Sequence, residues 1–192
     1  MKKRVVITGI GVVSPLGFNK TDLWSSLLAQ KLSLTKEEYC IAGQEPWGKF
    51  WAHRIKEFDI NNFGIDTQEL EYLKTWKKGS ESKILNYLLA AAKLAIDDSK
   101  IKYDRESNDV GCFATVENPD FESFCEHLIC DAVKAGQDLS QVQGDSIVKA
   151  IESVYGNNEA RGYDLHSFMY LYFIAKIFGF HGYSLFTNNA CA

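Results

Sequence analysis

The sequence predicts an α/β fold with a largely parallel sheet, and three observations predict it. Short strand-like runs at Val5–Thr8, Val110–Thr115 and Tyr183–Thr187, the first of them β-branched throughout, alternate with longer stretches that repeat apolar residues every three or four positions. The chain has 192 residues, of which 46% are apolar and 24% charged, the mix of a globular protein with a sizeable core. No internal repeat or low-complexity segment competes with one domain spanning 1–192.

The elements follow in order. Val5-Val6-Ile7-Thr8 reads as a buried strand, broken by Gly9 and Gly11, with a turn at Ser14-Pro15-Leu16-Gly17. Asn19 is the expected N-cap of a helix whose apolar stripe is Leu23, Trp24, Leu27 and Leu28. Residues 31–78 show no sustained period and are expected to be irregular, with short pieces of structure. Ser80 is placed to cap a long helix to about Asp98, with Ile84, Leu85, Leu88, Leu89, Ala92, Ala95 and Ile96 on one stripe and alanines that permit close packing. Val110–Thr115 is a second buried strand. Asn118-Pro119 opens a helix carrying Phe121 to Ala132, and a shorter helix spans about Ser146–Tyr155. Ser167 is placed to cap a helix to Phe178 that is apolar nearly all round and therefore expected to be buried all round, with Gly179 at its C′ position. Tyr183–Thr187 is the last strand, followed by Asn188-Asn189-Ala190-Cys191-Ala192.

Composition narrows the function. A net charge of −4 gives no basic excess for a nucleic-acid partner. The longest apolar run, Phe168–Ala175, is far short of the roughly 20 residues of a membrane span. Lys2-Lys3-Arg4 before Val5–Val13 has the charge of a signal peptide but lacks its cleavage site and is interrupted by glycines. Five dispersed cysteines fit a reducing compartment, so a cytoplasmic protein is expected.

Four constellations could carry chemistry. Gly9-Ile10-Gly11 follows a strand, but Ser14 stands where a dinucleotide fingerprint needs its third glycine, so the glycines are read as letting the chain turn out of the sheet. Cys125, His127 and Cys130 lie close in sequence, yet the two thiols sit about 140° apart on a helix, which disfavours a shared zinc. His53, His127, His166 and His181 show no nucleophile-and-base spacing and are expected to be surface or packing residues. Cys191 directly follows a strand between Ala190 and Ala192, the layout of a strand–turn–helix elbow that exposes a nucleophile and lowers its pKa at a helix N-terminus.

Three segments resemble one family, in the right order. Arg4-Val5-Val6-Ile7-Thr8-Gly9-Ile10-Gly11-Val12-Val13-Ser14-Pro15-Leu16-Gly17 is similar to the opening of the β-ketoacyl-acyl-carrier-protein synthases. Leu88 to Asp98 resembles the family's alanine-rich helix. Ser167-Phe168-Met169, Phe178-Gly179-Phe180-His181-Gly182 and Asn189-Ala190-Cys191-Ala192 resemble the run into its catalytic cysteine. The resemblance implies a thiolase-like layered sandwich of helices and sheets, of which this chain is the N-terminal half only. It implies Cys191 as nucleophile, taking an acyl group from the phosphopantetheine arm of acyl carrier protein for decarboxylative condensation with malonyl carrier. No separate cofactor and no metal are expected. The implied partners are acyl carrier protein and either a second copy in a homodimer or a complementary ketosynthase half, which brings two histidines and a lysine.

The sequence departs from the family pattern in places. Asn189 stands where the family usually has Thr, Thr115–Asp120 replace a glycine-rich stretch near the acyl pocket, and Leu73–Lys78 lack the family's Met-Asp-Arg. These departures bear on chain-length preference and dimer contacts. Without the acid–base partners of the other half, the isolated chain is expected to be inactive and to expose an apolar face where that half docks. The competing readings are a non-catalytic ketosynthase-like domain that binds an acyl group or partner, and a thiol-based redox or acyl-holding protein.

Overall fold

The computed structural model describes residues 4–38, 48–76, 82–115 and 168–187. The helices expected over 121–132 and 146–155, the Cys125–Cys130 cluster, the Ser167 cap and Cys191 lie outside the described residues.

Helix α1 (Lys20–Leu28) starts where expected. Asn19 is extended, and its side chain accepts a hydrogen bond from the Asp22 amide, so one of the orphan donors of the first turn is satisfied. Strands β1 (Leu34–Glu38) and β2 (Lys49–His53) pair antiparallel, Leu34 opposite His53 and Glu38 opposite Lys49. A 3-10 turn at Ile60–Phe63 leads through Gly64 (φ +67°) to helix α2 (Thr67–Trp76), whose start is capped by Asp66 accepting from the Gln68 amide. The region expected to be irregular thus holds a hairpin and a ten-residue helix. The helix's apolar spacing, Leu70, Leu73 and Trp76, is short and flanked by polar residues, which makes a weak periodic signal, and Leu70 and Leu73 are buried.

Helix α3 (Lys83–Ser99) is capped by Ser82 rather than Ser80. The Ser82 hydroxyl accepts from the Leu85 amide and lies 2.9 Å from the Tyr170 hydroxyl, inside the core. The cap moves because a second buried polar group, Tyr170, needs a partner there. Strand β3 (Cys112–Thr115) pairs in parallel with β4 (Ser184–Thr187), in the register Cys112–Ser184 to Thr115–Thr187. Between them in sequence lies helix α4 (Phe168–Phe178). It ends in a Schellman motif: the Phe180 amide donates to Ala175 and the Gly179 amide to Lys176, with Gly179 at φ +65°.

The core gathers where α2, α3, α4 and the β3–β4 pair meet. Leu70, Leu73, Leu85, Leu89, Cys112, Tyr170, Phe173 and Ile177 form one buried cluster. The nearly all-apolar α4 is buried on most of its circumference, with Tyr172 and Lys176 outside. Only one face of the β3–β4 pair joins this core: Cys112, Ala114 and Phe186 pack inward, while Phe113 and Leu185 are exposed. These strands read as buried but are half-buried, because α4 covers one face and the described residues leave the other uncovered.

The largest departure is at the N-terminus. Val5–Thr8 form no strand among the described residues, and Val5, Val6 and Ile7 are exposed. The segment lies on α3 instead. A Cβ on Gly9 would overlap the Ala95 carbonyl and Ser99, and one on Gly11 the Ala91 carbonyl and Ala95 amide. Neither glycine has a positive φ, so close approach to a groove of small residues, not a tight turn, is what requires them. The Ile10 amide donates to Asp98 Oδ2 at 2.9 Å, and Lys20 pairs with the same carboxylate. The α1 stripe also departs from expectation: Trp24, Leu27 and Leu28 are exposed, and the buried residue is Ser26, whose hydroxyl donates to the Leu16 carbonyl.

Candidate functional site

The sequence places the candidate nucleophile, Cys191, four residues beyond Thr187, the last residue of β4. Cys191 itself lies outside the described residues, so what the structure defines is the frame leading into it. In open parallel sheets, ligand chemistry gathers beyond the carboxyl ends of the strands. The parallel β3–β4 pair, ending level at Thr115 and Thr187, presents such an end.

That frame is fixed by a polar loop that sequence reading missed. Residues 103–110 wrap the C-terminus of α4, whose last carbonyls have no partners within the helix. Tyr103 Oη donates to the Phe178 carbonyl at 2.9 Å, Arg105 Nη2 to Ile177 at 2.7 Å, and Asn108 Nδ2 to Gly179 at 2.8 Å. Asn108 Oδ1 in turn accepts from the amides of Val110 and His181. One side chain thereby ties the start of β3 to the turn before β4. The Arg105 guanidinium also contacts Glu69 Oε1 of α2 at 2.7 Å, so α2, α4 and this loop share one anchor. The only sequence signal was Tyr, Arg and Asn spaced through a polar loop, which carries no periodicity. Burial raises the Tyr103 pKa above the usual tyrosine value, keeping its hydroxyl a donor.

The described cysteine and histidines have structural roles. Cys112 is buried and free, and burial pushes its thiol pKa up, which disfavours the reactive thiolate. His181 Nε2 lies 2.7 Å from the Arg105 carbonyl oxygen, so that nitrogen carries the proton and donates. His53 Nδ1 lies 2.8 Å from Ser33 Oγ at the base of the hairpin. Among the described residues, His181 and His53 thus serve local hydrogen bonding in a loop and a hairpin. His127 and His166 lie outside the described residues. Among the described residues, no group of three His, Cys, Asp or Glu side chains is placed to hold a metal ion, and no helix is long and apolar enough to cross a membrane.

On the α4 surface away from the core, Tyr72 and Tyr172 hydroxyls meet at 3.0 Å, and Lys176 Nζ sits 5.7 Å from the Tyr72 ring centroid. The hydrogen bond to Tyr172 pushes the Tyr72 pKa up to about 12. The pair joins α2 to α4.

The described parallel strand pair is thus fed by a buried helix, and the sequence carries an alanine-flanked cysteine four residues after the second strand. The model of the β-ketoacyl synthase N-terminal domain matches residues 2–192, and the chain belongs to the β-ketoacyl synthase family. It is 26% identical over 154 residues to 3-oxoacyl-[acyl-carrier-protein] synthase 1 of Buchnera aphidicola subsp. Baizongia pistaciae, covering 79% of this chain and 34% of that protein. It is 27% identical over 106 residues to 3-oxoacyl-[acyl-carrier-protein] synthase 2 of Vibrio harveyi, covering 55% of this chain and 23% of that one. The match thus spans about a third of the first relative's length. Among solved structures, the ishigamide ketosynthase/chain length factor superposes with a TM-score of 0.58 at 17% identity, over 97% of this chain and 40% of that one. That likeness establishes a ketosynthase fold.

Proposed function

We propose that this chain is the N-terminal half of a β-ketoacyl synthase whose nucleophile is Cys191. The Cys191 thiolate attacks the carbonyl of an acyl thioester on acyl carrier protein. A new C–S bond forms, the bond to the phosphopantetheine sulfur breaks, and the carrier thiol leaves with a proton. A malonyl group on a second carrier then loses carbon dioxide, and the resulting carbanion attacks the acyl–Cys191 carbonyl and releases the thiolate. The acid–base groups of that second step are assigned to a complementary half, as the family resemblance implies; the described His181 and His53 bond to Arg105 and Ser33.

The observation that carries this reading is the family match across residues 2–192, which includes the cysteine segment after β4. The exposed Val5, Val6, Ile7, Phe113 and Leu185 support a further domain or subunit packing on this chain. The test is acyl transfer from decanoyl-loaded carrier protein, followed by peptide mass spectrometry, on the chain joined to a complementary half. The expected adduct sits on Cys191 and is lost in Cys191→Ala. The 192-residue chain alone is expected to show no condensation, since nucleophile and acid–base groups act as a unit. An adduct on another cysteine, or none in the joined protein, overturns the assignment. The exposed apolar surface also suits a second reading, a non-catalytic domain that binds an acyl group or a partner, and loss of Cys191 without consequence for the joined protein's activity would favour it.

A further inference from the structure

The half-buried side chain of Asn108 makes four hydrogen bonds, all to backbone. Nδ2 donates to the Asp104 carbonyl at 2.5 Å and the Gly179 carbonyl at 2.8 Å, and Oδ1 accepts from the Val110 amide at 3.1 Å and the His181 amide at 3.2 Å. A primary amide has two N–H donors and two acceptor sites, so its capacity is fully used. The partners also fix which atom is the nitrogen, because carbonyls face one end and amides the other.

These bonds sit where β3 and β4 enter the sheet. Just beyond them the Gly182 amide donates to the Val110 carbonyl at 2.9 Å and the Cys112 amide to the Tyr183 carbonyl at 3.2 Å, and a Cβ on Gly182 would overlap the Asp109 carbonyl. Antiparallel neighbours can take their register from a tight turn, whereas parallel strands are joined by a long crossover that leaves register open. β3 and β4 are parallel, have four residues each, and meet the core on one face through Cys112, Ala114 and Phe186. Burial alone specifies the register of so short a pair weakly. Asn108 supplies what a hairpin turn supplies elsewhere, because one oxygen holds Val110 before β3 and His181 before β4. A slip of one residue would turn Phe186 out of the core and carry the chain beyond β4 along by about 3.3 Å.

We infer that Asn108 is a positioning residue for Cys191, setting the register of β4 on β3 and so the height at which the chain carries the thiol out of the sheet; this rests on the reading of Cys191 as the nucleophile. Cys191 stands four residues past β4. A displacement of about 1 Å in an attacking atom is enough to slow a reaction severely.

Two variants separate positioning from stability. Asn108→Ala removes all four bonds. Asn108→Asp keeps the acceptor that joins Val110 to His181, loses both donors and sets an anion against two carbonyls. In urea unfolding of the 192-residue chain, Asn108→Asp is expected to lose at least as much stability as Asn108→Ala. Transfer from decanoyl-loaded carrier protein to Cys191, in the chain joined to a complementary half, is expected to rank the other way. Its limiting rate falls about tenfold in Asn108→Ala and no more than about threefold in Asn108→Asp, with the half-saturating carrier concentration unchanged within about twofold. A wild-type protein that takes no decanoyl group on Cys191 overturns the nucleophile reading and this role together. A wild-type protein that does, with Asn108→Ala equally fast, overturns the role alone. Rates that fall in the same order as the stabilities, or loss of the folded chain in both variants, make Asn108 merely structural and overturn it too.

Discussion

The segment Val5–Ile10 and helix α4 are both dense in aliphatic and aromatic side chains, and they lie at opposite extremes of exposure. Val5 is 97% exposed and Ile7 85%, whereas Tyr170 and Phe173 are 0% exposed. The difference lies in how many elements surround each. α4 is enclosed by α2, α3 and the inner face of the β3–β4 pair, and its C-terminus is tied down by Tyr103, Arg105 and Asn108. The N-terminal segment meets α3 through the backbones of Gly9 and Gly11 and the Ile10–Asp98 hydrogen bond, leaving its side chains in water. Apolar composition states a tendency to be buried, and the number of covering neighbours decides whether it is met.

The largest expected effect breaks the enclosed side. Phe173→Ala should cost about 3–5 kcal/mol in urea unfolding of this chain, from lost burial and the cavity left behind. Val5→Ala should change stability by no more than about 0.5 kcal/mol. A cost above about 1 kcal/mol for Val5→Ala would show that something covers the segment in solution, and would sharpen the contrast into a statement about an assembled form.

Next in size is the contact that holds the N-terminal segment. Gly11→Ala places a methyl against the Ala91 carbonyl and Ala95 amide. It should cost about 1–3 kcal/mol or release the segment, seen as faster exchange of the Ile10 amide. Gly48→Ala, with nothing near its added carbon, should be close to neutral in the same assay. Asn19→Ala removes the α1 cap and should cost about 1 kcal/mol by thermal unfolding.

The smallest effect is a pH dependence at the same contact. Lys20, and then the Ile10 amide, hold the Asp98 carboxyl below the usual carboxylate range. A folded-state pKa below the unfolded one stabilises the fold above the unfolded value and loses that stabilisation as pH falls through the folded value. The Ile10 amide should therefore lose protection only in acid below the ordinary aspartate range. Asp98→Asn should lose part of that protection at neutral pH and flatten its acid dependence. An acid profile identical in wild type and Asp98→Asn would remove Asp98 from the contact.

Much of the fold was legible where the signal is local. The Asn19 cap, the α3 stripe and its end near Asp98 and the C′ glycine at Gly179 follow from interactions within a few residues, and the strands at 112–115 and 184–187 show as short apolar runs although they pair with each other across the chain. The cap at Ser82 was misplaced by two residues because its second partner, Tyr170, is 88 positions away. The polar loop at 103–110 gave no signal, because its partners are carbonyls of a helix some 70 residues on. Cys191 entered through the family's segment order; its position after a strand, taken alone, also fits an inert thiol.

By itself the sequence determined the family, the types of α1, α3, α4, β3 and β4, and the order in which helix, strand and cysteine follow one another at the end of the chain, because caps, turn glycines and apolar periods act over one or two helical turns. Only the tertiary structure decided which apolar faces find cover: α4 and one face of β3–β4 do, while Val5–Ile7, Trp24 and Phe113 remain in solvent. The reason is that burial is a property of neighbours brought together across the chain, and a one-dimensional pattern records a side chain's preference without recording what stands opposite it.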